Sequence, residues 1–197
     1  MVPKQVLDYV RKLSTGDHAV LFYESLDVKQ QVLFTFLREG LERGAGVLYI
    51  AGEETPEQIR KKIRKFGMDV EQFQLKGALR ILNYDPLLIR KGMVNPIPEI
   101  MENFNGIIRD FEISGKREIR FAAEGPYQFI RRDKMQELLE LEKTFGQTLR
   151  IPIAFICAYN AKQITPANGD FFKAVLEAHG HAIFQGIAFE LELIQID

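Results

Sequence analysis

Residues 18–52, HAVLFYESLDVKQQVLFTFLREGLERGAGVLYIAG, decide the fold. Ala19 to Tyr23 is a short apolar run of the kind that lies buried on both faces in a parallel sheet. Val28, Val32, Leu33, Phe36, Leu37 and Leu41 recur at helical spacing, Asp27 stands where it caps the first turn, and Gly44 follows as a stop. Gly46 to Ala51 reads as a second buried strand. A strand and helix that return to a parallel neighbour form a right-handed crossover, and the loop after the first strand is where such folds place ligands.

That loop is informative for what it lacks. A phosphate-binding loop needs glycines so that successive backbone N–H groups wrap an anion, a lysine for the outer phosphates and a hydroxyl for magnesium. Here the turn runs Tyr23-Glu24-Ser25-Leu26-Asp27-Val28-Lys29-Gln30, with no glycine between Gly16 and Gly40. Lys29 stands where a relic of the lysine would, but Gln30 follows where Ser or Thr belongs. Glu24 and Asp27 add negative charge where phosphates would sit. The architecture of a nucleotide site is expected, without its chemistry.

Working outward, Val6, Leu7, Val10 and Leu13 make an amphipathic N-terminal helix at the edge, ending at Ser14-Thr15-Gly16. A charged helix follows Gly52, with acidic residues at its start, basic ones at its end, and Gly67 beyond. Leu79 to Asn83 is a strand, Asp85-Pro86 opens a connection holding one helical turn, and Asn95, Pro96 and Pro98 introduce a helix to about Ser114. Glu118 to Ala123 is the next strand. It ends in Glu124, an acid at the tip that parallel sheets turn toward ligands. Asp133 and Gln136 read as a capping pair for a helix to about Leu149. Ile151 to Tyr159 is the most apolar strand and so central, a helix runs from Gly169 to Ala178, and two strand-like runs flank Gln185-Gly186. The second alternates Phe189, Leu191 and Leu193 with Glu190 and Glu192, as an antiparallel edge strand does.

With 197 residues, 46% of them hydrophobic and 27% charged, the chain reads as one domain over 1–197 with residues 1–16 packed on its edge. A net charge of −1 supplies no general attraction to nucleic acid or to acidic membranes. The longest apolar run is far too short to span a bilayer. A single cysteine, Cys157, fits a reducing compartment, so a cytoplasmic location is expected.

The run FTFLREGLERGAGVLYIAGEETPEQIRKKIRKFGMD, followed by GALRIL, resembles the KaiC-like branch of RecA-fold ATPases over the first half of the chain. A fuller resemblance is to the MEDS domain, a sensory domain named for methanogen and methylotroph proteins and found in the dichloromethane-responsive regulator. It rests on His18 ahead of LFYES, on FLREGLERG, Gly67 to Asp69, Gly77-Ala-Leu, Gly92, IRFAAEGPYQF, the Glu142 helix, ICAYN at 156–160 and LEAHGHAI at 176–183. The chain departs from that pattern in having Pro126-Tyr127 and no Trp, and His-Gly-His at 179–181 where His-Pro is more usual.

The resemblance implies a three-layer αβα RecA/KaiC-like fold, with a mainly parallel sheet and an antiparallel C-terminal edge. It also implies a non-catalytic sensory or regulatory role without a working phosphate loop. Family match and position together gather His18, Tyr23, Glu24, Glu124, Glu142, Cys157, Tyr159 and His179 on a ligand face, beside the degenerate phosphate-loop positions Ser25, Asp27, Lys29 and Gln30. Each has a plainer reading. Glu124 can pair with Arg120, Arg131 or Arg132; Cys157 is a small buried hydrophobe; His179 is a helix-end residue; and His18, which precedes its strand, can lie at the far end of the sheet. A zinc site built from Cys157, His179 and a carboxylate is the alternative with no compact ligand pair to mark it, and neither a cofactor nor ATP with magnesium is expected. Expected partners are a small-molecule ligand and a regulatory protein, not nucleic acid or membrane. The rival readings are a KaiC-like ATPase with an atypical loop and an oligomeric assembly protein.

Overall fold

The computed structural model describes residues 2–124, 126–148, 153–163, 169–184 and 187–190. Helix α1 (Lys4–Lys12) leads into strand β1 (His18–Tyr23), helix α2 (Leu26–Glu42) and strand β2 (Gly46–Ala51), the elements read from the opening stretch. There follow α3 (Pro56–Lys65), α4 (Val70–Leu75), β3 (Leu79–Asn83), α5 (Tyr84–Leu88), the two-residue strands β4 (Ile89–Arg90) and β5 (Met93–Val94), and α6 (Ile97–Ile113). The order closes with β6 (Ile119–Ala123), α7 (Pro126–Arg131), α8 (Met135–Thr148), β7 (Ile153–Asn160), α9 (Gly169–Glu177), β8 (His181–Phe184) and β9 (Ile187–Glu190).

Seven strands form one sheet in the order β3-β2-β6-β7-β1-β8-β9, all parallel except β9, which pairs antiparallel with β8. The most apolar strand, β7, is the fourth of seven, as its composition predicts. β1 and β2 are parallel but are not neighbours, since β6 and β7 lie between them. The crossover therefore spans two strands, a correction to the simple neighbouring unit. β4 and β5 make a small antiparallel hairpin to one side. The turn at 185–186 and the alternation beyond Glu190 lie outside the described residues.

Side-chain alternation sorts the core into two clusters. Ala19, Leu21, Val47, Tyr49, Ile156 and Ala158 face the apolar sides of α1, α2, α3 and α4. Val20, Phe22, Leu48, Ile50, Phe155, Cys157 and Tyr159 face α5 to α9. The result is the three-layer RecA/KaiC-like architecture, with both sheet faces covered as the continuous apolar strands require.

Two caps differ from expectation. Ser25, not Asp27, occupies the position before α2, and Asp27 instead sits in its first turn, where its charge meets the helix dipole. Asp133 adopts a left-handed backbone (φ 55°), two residues before α8 begins. Thr55 closes a capping box with Gln58 at the start of α3 and so fixes the loop that carries Glu53 and Glu54.

Candidate functional site

Eight of the twelve residues singled out from sequence fall into two separate interior clusters, not one face. The first lies at the C-terminal ends of the parallel strands. Lys29, in the first turns of α2, has no solvent exposure. Its Nζ stands 2.7 Å from Glu124 Oε1, 2.9 Å from Glu53 Oε2 and 3.8 Å from Glu54 Oε2. Glu124, just past β6, also accepts from the Tyr49 hydroxyl and, through Oε2, from the N–H groups of Gly52 and Glu53, each at 3.0 Å. Asn160, closing β7, donates to Glu53 Oε1 at 3.3 Å.

Burial works against the Lys29 ammonium, but Glu124 and Glu53 outweigh it and hold its pKa above the ordinary lysine value. Burial would likewise raise Glu53, yet Lys29, Tyr23 and Asn160 together bring it below the ordinary carboxylate value. Tyr23 is pushed up, first by burial and then by Glu53. The cluster is a closed ion-pair network whose cation faces carboxylates. Glu124 thus pairs with Lys29 and not with the arginines offered from sequence. Arg120 is fully buried elsewhere and donates to Glu118, Phe36 O and Leu13 O. Glu24, Ser25 and Asp27 are exposed and Gln30 is half-buried, so none of these four joins the network around Lys29.

The second cluster lies between the sheet and helices α8 and α9. His18 opens β1, Cys157 lies mid-strand on β7, Glu142 projects inward from α8, and His179 follows α9. Strand register explains part of this meeting: His18 is level with Phe155 on the adjacent β7, so Cys157 is its diagonal neighbour on the same face. The N–H of Gly180 donates to His18 O at 2.9 Å and brings His179 against the start of β1, where the two imidazole centroids are 3.9 Å apart.

Glu142 is the hub. Its Oε1 accepts from the Tyr159 hydroxyl at 2.5 Å. Its Oε2 lies 3.2 Å from Cys157 Sγ, 3.5 Å from His18 Nε2 and 3.7 Å from His179 Nε2. Burial alone would raise this carboxyl, but hydrogen bonding from His18 and the other imidazole and hydroxyl neighbours hold it down near 2. Burial drives the Cys157 thiol well above its usual range and, with His18 beside it, lowers His179 to about 3. A cavity of about 20 Å³ adjoins Glu142 and Cys157 and is otherwise lined by Ile50, Tyr84, Phe104, Phe145 and other apolar groups.

A cleft of about 490 Å³ lies elsewhere, beside the β4–β5 hairpin. Of the charged groups on its wall, Lys134 and Glu137 pair with each other at 2.8 Å, and Glu140 stands beside them.

The structure therefore groups Tyr23 and Glu124 with Lys29 at one site, and His18, Glu142, Cys157, Tyr159 and His179 at another. His18 takes the second of its two sequence readings, the N-terminal end of its strand. Glu53 and Glu54 were not singled out, although they follow β2 directly and the rule that flagged Glu124 covers them. The Cys157 cluster carried no linear signal because its ligand-type residues come from four distant elements.

Among the described residues no helix is long and apolar enough to cross a membrane. Similar folds occur in a KaiC-like protein of the archaeon Pyrococcus horikoshii (TM-score 0.59, 15% identity, covering 100% of this chain and 81% of that one). The flagellar accessory protein FlaH of Methanocaldococcus jannaschii is also similar (TM-score 0.54, 16% identity, 90% and 75% covered). At these identities the likeness concerns the fold alone. Local sequence similarity reaches the circadian clock protein KaiC3 of Synechocystis, 35% identical over 51 residues, and a UPF0273 protein of Pyrobaculum aerophilum, 38% identical over 48. Those matches span 26% and 24% of this chain but only 10% and 17% of the relatives' own length. Residues 17–179 match the methanogen/methylotroph, DcmR sensory domain, and with most of its length inside that match the chain belongs to the MEDS family.

Proposed function

We propose that the chain is a non-catalytic sensory or regulatory domain that binds a small molecule on its RecA-like scaffold and passes the signal to a regulatory partner. The observation that carries this reading is the state of Lys29. Lys29, at the position of a phosphate-loop lysine, is fully buried and held by Glu124 and Glu53 at 2.7 and 2.9 Å. A triphosphate approaching it meets two carboxylates already seated there, behind a turn without the glycines that would present backbone N–H groups. Beneath α8 the cavity beside Glu142 and Cys157, of about 20 Å³, admits a water-sized group, so a larger ligand in this interior requires the helix layer to open.

Titration calorimetry of the pure chain with ATP and magnesium tests the reading. No saturable heat is the expected result, and micromolar binding overturns it. The local similarity to KaiC3 favours the rival, an atypical ATP-binding protein, and the same titration separates the two.

A further inference from the structure

We infer that His18, Glu142, Cys157 and His179 form a four-ligand site for a zinc-type divalent cation. One ligand atom from each lies within 4.8 Å of all the others. Four of the six separations, Cys157 Sγ to Glu142 Oε2 (3.2 Å), His18 Nε2 to Glu142 Oε2 (3.5 Å), His18 Nε2 to Cys157 Sγ (3.6 Å) and His179 Nε2 to Glu142 Oε2 (3.7 Å), are close to those of a tetrahedral shell, and the other two are no longer than 4.8 Å. Zinc bonds of about 2.0 Å to nitrogen and oxygen and about 2.3 Å to sulfur, set tetrahedrally, place neighbouring ligand atoms roughly 3.3–3.6 Å apart.

A second observation points to a cation. His179 Nδ1 lies 2.7 Å from the Val175 carbonyl oxygen, which can only accept, so Nδ1 carries the proton. In the neutral ring, Nε2 is then a bare lone pair. It is buried, has no hydrogen-bond partner, and lies 3.7 Å from Oε2 of the Glu142 carboxyl group. That gap is too long for a proton to bridge as a hydrogen bond. Two electron-pair donors aimed at one point are reconciled by a cation between them.

The surroundings match. The Val175 carbonyl orients one imidazole, and the Tyr159 hydroxyl holds the outer oxygen of Glu142 so that the inner one faces the centre. Thiolate and imidazole donors select a zinc-type ion over calcium or magnesium, and four protein donors leave no open position for catalysis. Binding replaces the Cys157 S–H bond with a metal–thiolate bond and releases that one proton to solvent, while the carboxylate and each imidazole, its ring proton on Nδ1 once Nε2 is the ligand, contribute lone pairs. The site does not depend on the sensory reading: a bound ion would tie α8 and α9 to β1 and β7 in a sensor or in any other protein.

The test is anaerobic titration of the chelator-stripped full chain with Co²⁺, followed by Zn²⁺. The expected result is one Co²⁺ per chain with the strong visible bands of a tetrahedral site and a thiolate-to-cobalt charge-transfer band, all lost when one equivalent of Zn²⁺ is added. Cys157→Ser should abolish the charge-transfer band. His179→Ala and Glu142→Gln should weaken binding by more than about a hundredfold, the most that outer-sphere changes alone typically cause. The wild-type titration decides even if a variant fails to fold. Absence of saturable binding, an octahedral spectrum, or a charge-transfer band that survives Cys157→Ser overturns the inference. Nucleotide titration has no bearing on it, so the two proposals fail separately.

Discussion

Lys29 shows how one residue's meaning depends on its partners. Removing its charge strands Glu124 in the interior, and breaking a buried pair in this way costs about 3–5 kcal/mol. Lys29→Met should therefore lower the unfolding free energy by that amount in urea titration, whereas a loss below about 1 kcal/mol, the scale of exposed pairs, would show that the network contributes little. Glu53 gives the pH dependence. Its folded pKa lies below the ordinary 4.5, so its contribution is present above that value and is lost as pH falls through the lower folded value. The urea midpoint should drop below pH 4.5, with Lys29, Glu54, Glu124 and Tyr23 facing the same carboxylate, and Glu53→Gln should flatten that drop. Sequence singled out Lys29 and Glu124 separately. The sequence reading set both near one face, but their pairing was not legible, because a linear pattern does not say which nearby cation a carboxylate takes.

At the scale of elements, glycines separate backbone necessity from accident. A Cβ on Gly52, just past β2, would come 2.3 Å from the Glu124 carbonyl oxygen, a backbone atom that cannot swing aside. A Cβ on Gly106, within α6, meets nothing within 4 Å. Gly52→Ala should cost at least the roughly 1–3 kcal/mol typical of overpacking, and Gly106→Ala should stabilise by about 0.5–1 kcal/mol through helix propensity. Equal midpoints for the two variants in denaturant titration would contradict this. Long elements were legible because 17-residue helices such as α2 and α6 repeat their apolar face several times, and buried strands such as β7 run apolar throughout. The six-residue helices α4 and α7 and the two-residue strands β4 and β5 were not, since one turn or one pair offers no period to read.

For the whole molecule, strand order sets where opening begins. β7, flanked by β6 and β1, should exchange its amide protons only through global unfolding, while α1 and β9 at the margins exchange by local fraying. Native-state hydrogen exchange at rising denaturant would show this, and equal protection of β7 and β9 would contradict it. The three-layer class was legible because both faces of the sheet are apolar. The strand order was less so, because the insertion of β6 and β7 between β1 and β2 is settled by packing far along the chain.

The buried guanidinium of Arg120 carries a consequence for dissecting this protein. From the middle of the sheet it reaches the carbonyl of Leu13, ahead of the stretch that matches the family, while β8 begins at His181, beyond that stretch. A fragment trimmed to residues 17–179 would strand one donor of a cation sealed from water and bare the flank of β1 that β8 covers. The cooperative folding unit is larger than the stretch that matches the family, and its margins hold the centre shut.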